Sequence, residues 1–161
     1  MASVLKQSSE VQMVLRIVIP MFPPSVNAIY TVKPQYLKGG KMRMGIGLTA
    51  EARRWVFDAQ YFMPPRQLDG SGETLYYLSI DLYTNWLNKD GTLKRKDVGN
   101  YEKLITDALF NRYHLDDKLV WYSSVSKYQS PKDQVILMLS TLGNLKTILS
   151  EQTQPKGNAH G

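Results

Sequence analysis

Between Leu75 and Leu142 the spacing of apolar residues changes period twice, and this restricts the possible folds more than any other feature of the chain. From Leu75 to Trp86 the pattern is that of a strand, with Leu78, Ile80 and Leu82 on one face. From Val98 or Asn100 to Phe110 the apolar positions recur at helical spacing, with Tyr101, Leu104, Ile105, Ala108 and Leu109 on the buried face. Two closing strands, Leu119 to Lys127 and Gln134 to Leu142, are expected around a turn at Ser130-Pro131-Lys132-Asp133.

An earlier helix is predicted to start at Thr49, whose hydroxyl can cap it, with Glu51 near the positive end of its dipole. Ala52, Trp55, Val56 and Ala59 share one face of that helix, and Pro64-Pro65 ends it. Val11 to Ile19 is rich in aliphatic and β-branched residues and stops at Pro20, so it reads as a buried strand. Pro23-Pro24-Ser25-Val26-Asn27 is a stiff turn. Tyr30 to Leu48 mixes Gly39-Gly40, Gly45 and Gly47 with lysines and methionines, the composition of a mobile basic loop or a loose hairpin. The order β, α, β, α, β, β predicts a single small α+β domain, a mixed sheet packed with two helices, over residues 11–142. Residues 1–10 are expected to be disordered. Residues 143–161 are expected to form a largely flexible tail with one short apolar cluster at Leu145, Ile148 and Leu149.

A chain of 161 residues suits one domain. It has no cysteine, hence no disulfide and no thiolate metal site, which fits a reducing cytosol. It has only two histidines, and His160 lies in the polar tail, which argues against a histidine-rich zinc site. Any metal is then expected on oxygen ligands, which favours Mg2+ or Mn2+. No apolar run approaches the ~20 residues that span a membrane, and the N-terminus lacks the apolar core of a signal peptide, so a cytoplasmic location without membrane contact is expected. The formal net charge is +6, with Lys38, Lys41, Arg43, Arg53, Arg54, Lys89, Lys94, Arg95 and Lys96 clustered in three segments. Such clusters are either solvated faces or the footprint of a polyanion.

Lys94 to Asp117 carries the chemistry. A basic triplet (Lys94, Arg95, Lys96) runs into Asp97, the helix follows, and Asp116 and Asp117 come just beyond it. Acids among cations suit a divalent metal meeting phosphates, because the metal takes hard oxygen ligands and the polyanion takes neutralising charge. Each piece also has a plainer role. Asp97 suits a helix cap, Asp116-Asp117 suit a turn, and Lys103 suits a solvated helix face. A helix of about ten residues separates the acids by ~15 Å. They converge only if the loop after Phe110 doubles back, or if the strand from Leu119 returns beside the start of the helix.

Four motifs in order carry a resemblance: Ile-Pro-Met-Phe-Pro-Pro-Ser-Val-Asn-Ala-Ile-Tyr from Ile19, Leu-Thr-Ala-Glu-Ala-Arg-Arg-Trp from Leu48, Arg-Lys-Asp-Val-Gly-Asn-Tyr-Glu-Lys-Leu-Ile-Thr-Asp-Ala-Leu from Arg95, and Leu-Asp-Asp from Leu115. From about Ile17 to Leu142 the chain resembles the RusA family of Holliday junction resolvases, mostly encoded by phages and prophages. The resemblance implies a small α+β domain that forms a homodimer and cuts branched DNA, the four-way junction, with Mg2+ or Mn2+, in recombination, repair or phage DNA processing. It implies that Asp97 and Asp117 are metal-binding and catalytic, with Asp116 as the partner of Asp117, and that Lys103 is catalytic. Asn100 and Asp107 match further motif positions. The expected DNA contacts are Lys38, Lys41, Arg43, Lys94, Arg95 and Lys96. The chain departs from the family at Gly99, where the pattern has a second active-site aspartate. Asp90, Glu102 or Asp116 then substitutes, or waters complete the metal shell, or the protein binds junctions with weakened or lost cleavage.

Overall fold

The computed structural model of the chain describes residues 11–24, 28–94 and 98–144. Its elements run β1 (Gln12–Ile19), β2 (Tyr30–Tyr36), β3 (Met42–Leu48), α1 (Ala50–Tyr61), β4 (Thr74–Thr84), α2 (Val98–Tyr113), a 3₁₀ turn (Asp117–Leu119), β5 (Val120–Gln129) and β6 (Gln134–Asn144). The main sheet has the order β1-β6-β4-β5, while β2 and β3 form a separate two-stranded ribbon. β6 is antiparallel to β1 and to β4, and β5 is parallel to β4. The fold is therefore α+β with a mixed sheet and two helices.

A parallel pair needs a crossover connection, and α2 provides it between β4 and β5. The two last strands are consecutive but are not paired with one another, contrary to the simplest reading of their turn. β4 lies between them. The turn crosses the end of β4 and is tied to it: Ser130 N–H donates to the Thr84 carbonyl at 3.0 Å, and the Thr84 hydroxyl donates to Asp133 Oδ1 at 2.6 Å.

The core lies between the helices and one sheet face. Leu78, Ile80 and Leu82 are fully buried there, together with Leu104, Ile105, Ala108 and Leu109 of α2 and Ala52 and Ala59 of α1. Val56 is only half-buried. β1 alternates rather than being buried throughout, with Leu15, Ile17 and Ile19 inward and Arg16 and Val18 outward.

Of the two readings of residues 30–48, a mobile loop or a loose hairpin, the hairpin holds, and it is regular, with seven paired positions from Tyr30↔Leu48 to Tyr36↔Met42. Gly39 and Gly40 (φ 90° and 74°) supply the left-handed backbone its tip requires. α2 runs three residues past Phe110 because Tyr113 is buried and its hydroxyl donates to the Pro64 carbonyl at 2.9 Å. The helix ends with His114 at φ 53° and Leu115 N–H donating back to the Phe110 carbonyl at 3.1 Å, a Schellman closure. β6 continues to Asn144, two residues beyond the expected boundary at Leu142. Residues 1–10 and 145–161, including Leu145, Ile148 and Leu149, lie outside the described residues.

Thr49 caps α1 as expected. Its hydroxyl accepts from Ala52 N–H at 3.1 Å and donates to the Ala28 carbonyl, so one side chain joins the helix to the segment before β2. Thr49→Ala is expected to lower stability by about 1 kcal/mol, read as a lower urea midpoint with an unchanged denaturant slope. An unchanged midpoint would remove the cap from the forces that hold α1.

Candidate metal and nucleic-acid site

The acid pair sits where the chain leaves α2 and enters β5. Asp116 caps the 3₁₀ turn, with Oδ1 accepting from Lys118 N–H at 3.1 Å and Oδ2 lying 2.7 Å from Lys118 Nζ. The hydrogen bond from the Lys118 side chain, helped by the one from its backbone, holds the Asp116 carboxyl below the usual carboxylate range. The same contact raises the Lys118 ammonium. Asp117 is exposed beside this pair. Three residues on, β5 begins with Val120 opposite Tyr76 of β4.

The basic run leads to the opposite end of the same strand. Lys94 N–H donates to the Trp86 carbonyl at 2.8 Å, and Lys94 Nζ donates to the Asn85 carbonyl at 3.0 Å. Trp86 in turn is fixed to the last residues of β5: its N–H donates to Gln129 Oε1 at 2.8 Å and its indole N–H to the Tyr128 carbonyl at 3.1 Å. Lys127 Nζ lies 4.8 Å from the Trp86 ring centre, a cation–π contact. Arg95, Lys96 and Asp97 lie outside the described residues, as does the side chain of Asn100. Val98, the residue after Asp97, opens α2.

These anchors fix a distance. α2 has 16 residues and is about 24 Å long. β5 has 10 residues and extends about 30 Å. The strand after the 3₁₀ turn does return along the helix: Ser123 meets Glu102, and Gln129 meets Trp86 further on. Asp117 stays at the near end. Within one chain, Asp117 comes four residues after the C-terminal end of α2, whose first residue is about 24 Å from its last. Among the described residues, no three acidic, histidine or cysteine side chains are grouped to hold one metal ion.

On the outer face of α2, Lys103 Nζ lies 3.4 Å from Asp107 Oδ2, one turn apart and both solvent-exposed. Exposed pairs of this kind contribute little, so Asp107 holds Lys103 only weakly. Gly99 is exposed in the first turn of α2 and is not among the described glycines with positive φ. Of the three acids expected to substitute at Gly99, Asp90 is committed to a turn. It accepts from the Thr92 hydroxyl at 2.7 Å and from Thr92 N–H at 3.0 Å, and that hydroxyl contact is the main cause of its lowered pKa. Asp116 lies at the other end of the helix. Glu102 stands three residues from Gly99, on the same side of α2, where it accepts from the Ser123 hydroxyl at 3.0 Å. Of these three acids it is the nearest in sequence to Gly99.

The β2–β3 ribbon has two chemically different faces. Thr31, Lys33, Gln35 and Arg43 share one face with Gly45 and Gly47, and Lys38 and Lys41 stand exposed at the tip. Arg43 Nε donates to Gln35 Oε1 at 3.1 Å, and Lys33 Nζ donates to the Leu48 carbonyl at 2.8 Å. The opposite face is apolar and uncovered: Val32, Tyr36, Met42, Met44 and Ile46 are all at least 60% exposed. The alternation that makes these faces is present in the sequence, but the glycines and lysines between the apolar positions obscure it. Lys33 and the apolar face were not anticipated for that reason.

A family model described as endodeoxyribonuclease RusA matches residues 50–140, from α1 into β6. No individual curated protein matches the chain. The match covers more than half of the sequence and includes α2, the Asp-Asp pair and the β4–β5 pairing, so the chain belongs to the RusA endodeoxyribonuclease family.

Gly99→Asp tests the family departure. Helical backbone accepts aspartate, and an acid in the first turn is favoured by the helix dipole. The variant is expected to melt no lower than wild type and to bind Mn2+ several-fold more tightly by titration calorimetry. Unchanged Mn2+ affinity would exclude position 99 from the metal site.

Proposed function

We propose that the chain is a Mg2+- or Mn2+-dependent endodeoxyribonuclease that cuts four-way junctions or related branched DNA as a homodimer, with each metal centre drawn from two chains. The observation that carries this reading is the endodeoxyribonuclease family match over residues 50–140, and the position of the Asp116-Asp117 pair beyond the C-terminal end of α2 supports the two-chain arrangement. Asp117 with Asp116 offers two adjacent carboxylates, one of them paired with Lys118. That donor chemistry fits a hard cation, but two neighbouring acids fall short of a complete site. In an antiparallel pair of chains, the first turn of α2 in one copy faces the acid pair of the other. Asp97 would then join Asp117 and Asp116, with Glu102 close to the position vacated at Gly99. A divalent ion bound there polarises a phosphoryl oxygen and lowers the pKa of a bound water.

The remaining roles belong to the chain's own side chains. Lys103, on the outer face of α2, offsets negative charge that builds on the scissile phosphate, and Asp107 holds it in reserve when DNA is absent. Asn100 follows the acid segment and serves to orient it. Lys38, Lys41 and Arg43 on the ribbon, with Lys94, Arg95 and Lys96 before α2, neutralise backbone phosphates and position the arms without reading sequence. The uncovered apolar face of the ribbon supports a dimer, because large contiguous apolar patches mark interaction surfaces. A two-fold dimer also matches a nearly two-fold substrate that receives paired cuts. Recombination, repair or phage DNA processing in the cytoplasm is the setting in which such substrates arise.

Gly99 favours a second reading, a junction-binding protein that has lost cleavage. A labelled four-way junction with Mg2+ or Mn2+ separates the two. Wild type is expected to make paired cuts. Asp117→Asn is expected to abolish cutting while junction binding persists or tightens, since one negative charge beside phosphate is removed. If wild type binds the junction as tightly as Asp117→Asn and neither cuts with either metal, the second reading replaces the first.

A further inference from the structure

We propose that a groove at the C-terminal ends of α1 and α2 binds an unpaired DNA strand and leads it to the Asp116-Asp117 pair. The proposal rests on the branched-DNA reading for its biological setting, but the groove and its ligand chemistry stand on separate residues.

The groove has two adjoining parts of about 580 Å³ and 450 Å³ that share Pro65 and Arg112. Its wall is fixed. Arg112 Nε and Nη2 donate to the Met63 carbonyl at 3.4 and 3.3 Å, and the Tyr113 hydroxyl closes onto the Pro64 carbonyl. Arg66, Arg112 and His114 present cationic or hydrogen-bonding groups to the opening, all three exposed. None of its lining side chains among the described residues is acidic, and no described carboxylate pairs with Arg66. A lining without acids suits a polyanion.

Aromatic side chains continue the groove along α1. Phe57 and Tyr61 are one turn apart and 76% and 88% exposed, and Tyr61 packs edge-on against Phe62 at 5.9 Å. Arg53 lies one further turn back on the same stripe. Large exposed rings interleaved with arginines are the surface single strands use, since every base has a face to stack and every nucleotide a phosphate to neutralise. Duplex DNA keeps its bases stacked internally and gains nothing from such rings. The occupant is therefore unpaired DNA, as at the opened crossover of a junction.

His114 lies at the groove opening. It occupies the left-handed position that closes α2, with φ 53°, a conformation histidine adopts more readily than most residues other than glycine. It also stands two residues before Asp116, which puts the groove opening next to the acid pair in the chain.

The test uses the full chain with fluorescent oligo(dT), a fully paired duplex and a four-way junction, read by anisotropy at fixed salt. Phe57→Ala with Tyr61→Ala is expected to weaken oligo(dT) binding by about tenfold or more while duplex binding through the ribbon stays near wild type. His114→Gly relieves the left-handed backbone, so it is expected to melt no lower than wild type yet to bind oligo(dT) several-fold more weakly. Oligo(dT) affinity unchanged in both variants would overturn the proposal. So would conversion of a dimer to a monomer by Phe57→Ala with Tyr61→Ala in sedimentation, which would make the rings a protein interface. Wild type that cuts junctions while these variants bind oligo(dT) normally removes the groove alone. Wild type that binds oligo(dT) through these residues without cutting any junction removes the nuclease reading and leaves the groove.

Discussion

The parallel pairing of β4 with β5 is the constraint on which the rest of the molecule depends. Two parallel neighbours cannot be joined by a tight turn, so the chain must travel back the length of the sheet before β5 begins. α2 makes that journey, and its apolar face, Tyr101 to Leu109, closes the core over Leu78, Ile80 and Leu82. The same geometry dictates the chemistry. Residues before α2 emerge at one end of β5, and residues after α2 emerge at the other. The Trp86 bonds to Gln129 and Tyr128 lock the first end, and the Asp116–Lys118 cap locks the second. We propose that the molecule meets its metal by pairing with a second copy rather than by bending one chain.

The ribbon of β2 and β3 shows how one element serves two demands. Its basic face and tip suit phosphate, and its apolar face suits protein. A lone two-stranded hairpin is marginal in water, so partners on both sides would stabilise it. The segment is outside the region matched by the family model, which begins at residue 50. The family-matched region and the ribbon are thus separate in sequence, as they are in sheet topology.

Local physics was legible in the sequence, and non-local physics was not. Thr49 caps α1, and the inward sets Leu78, Ile80, Leu82 and Tyr101, Leu104, Ile105, Ala108, Leu109 are where their spacing puts them, because periodicity depends only on neighbours. Strand pairing depends on the whole sheet, and the insertion of β4 between β5 and β6 is invisible in a turn such as Ser130-Pro131-Lys132-Asp133. The extension of α2 to Tyr113 follows from a hydroxyl reaching Pro64, 49 positions earlier in the chain. The candidate site divides in the same way. Its residue types and their order were readable, as was the departure at Gly99. That β5 returns along α2, with Ser123 meeting Glu102, required the fold.

Mixing two inactive variants tests the two-chain site most directly. Asp97→Asn and Asp117→Asn, each alone, leave every composite site with one acid removed. Unfolded together and refolded as mixed dimers, they produce one site bearing both substitutions and one site bearing neither. The account predicts that the mixture regains single-strand nicking of a four-way junction with Mg2+ or Mn2+, while each variant alone stays inactive. A mixture confirmed as mixed dimers that remains as inactive as its parents would contradict it, because that result means both acids act from the same chain.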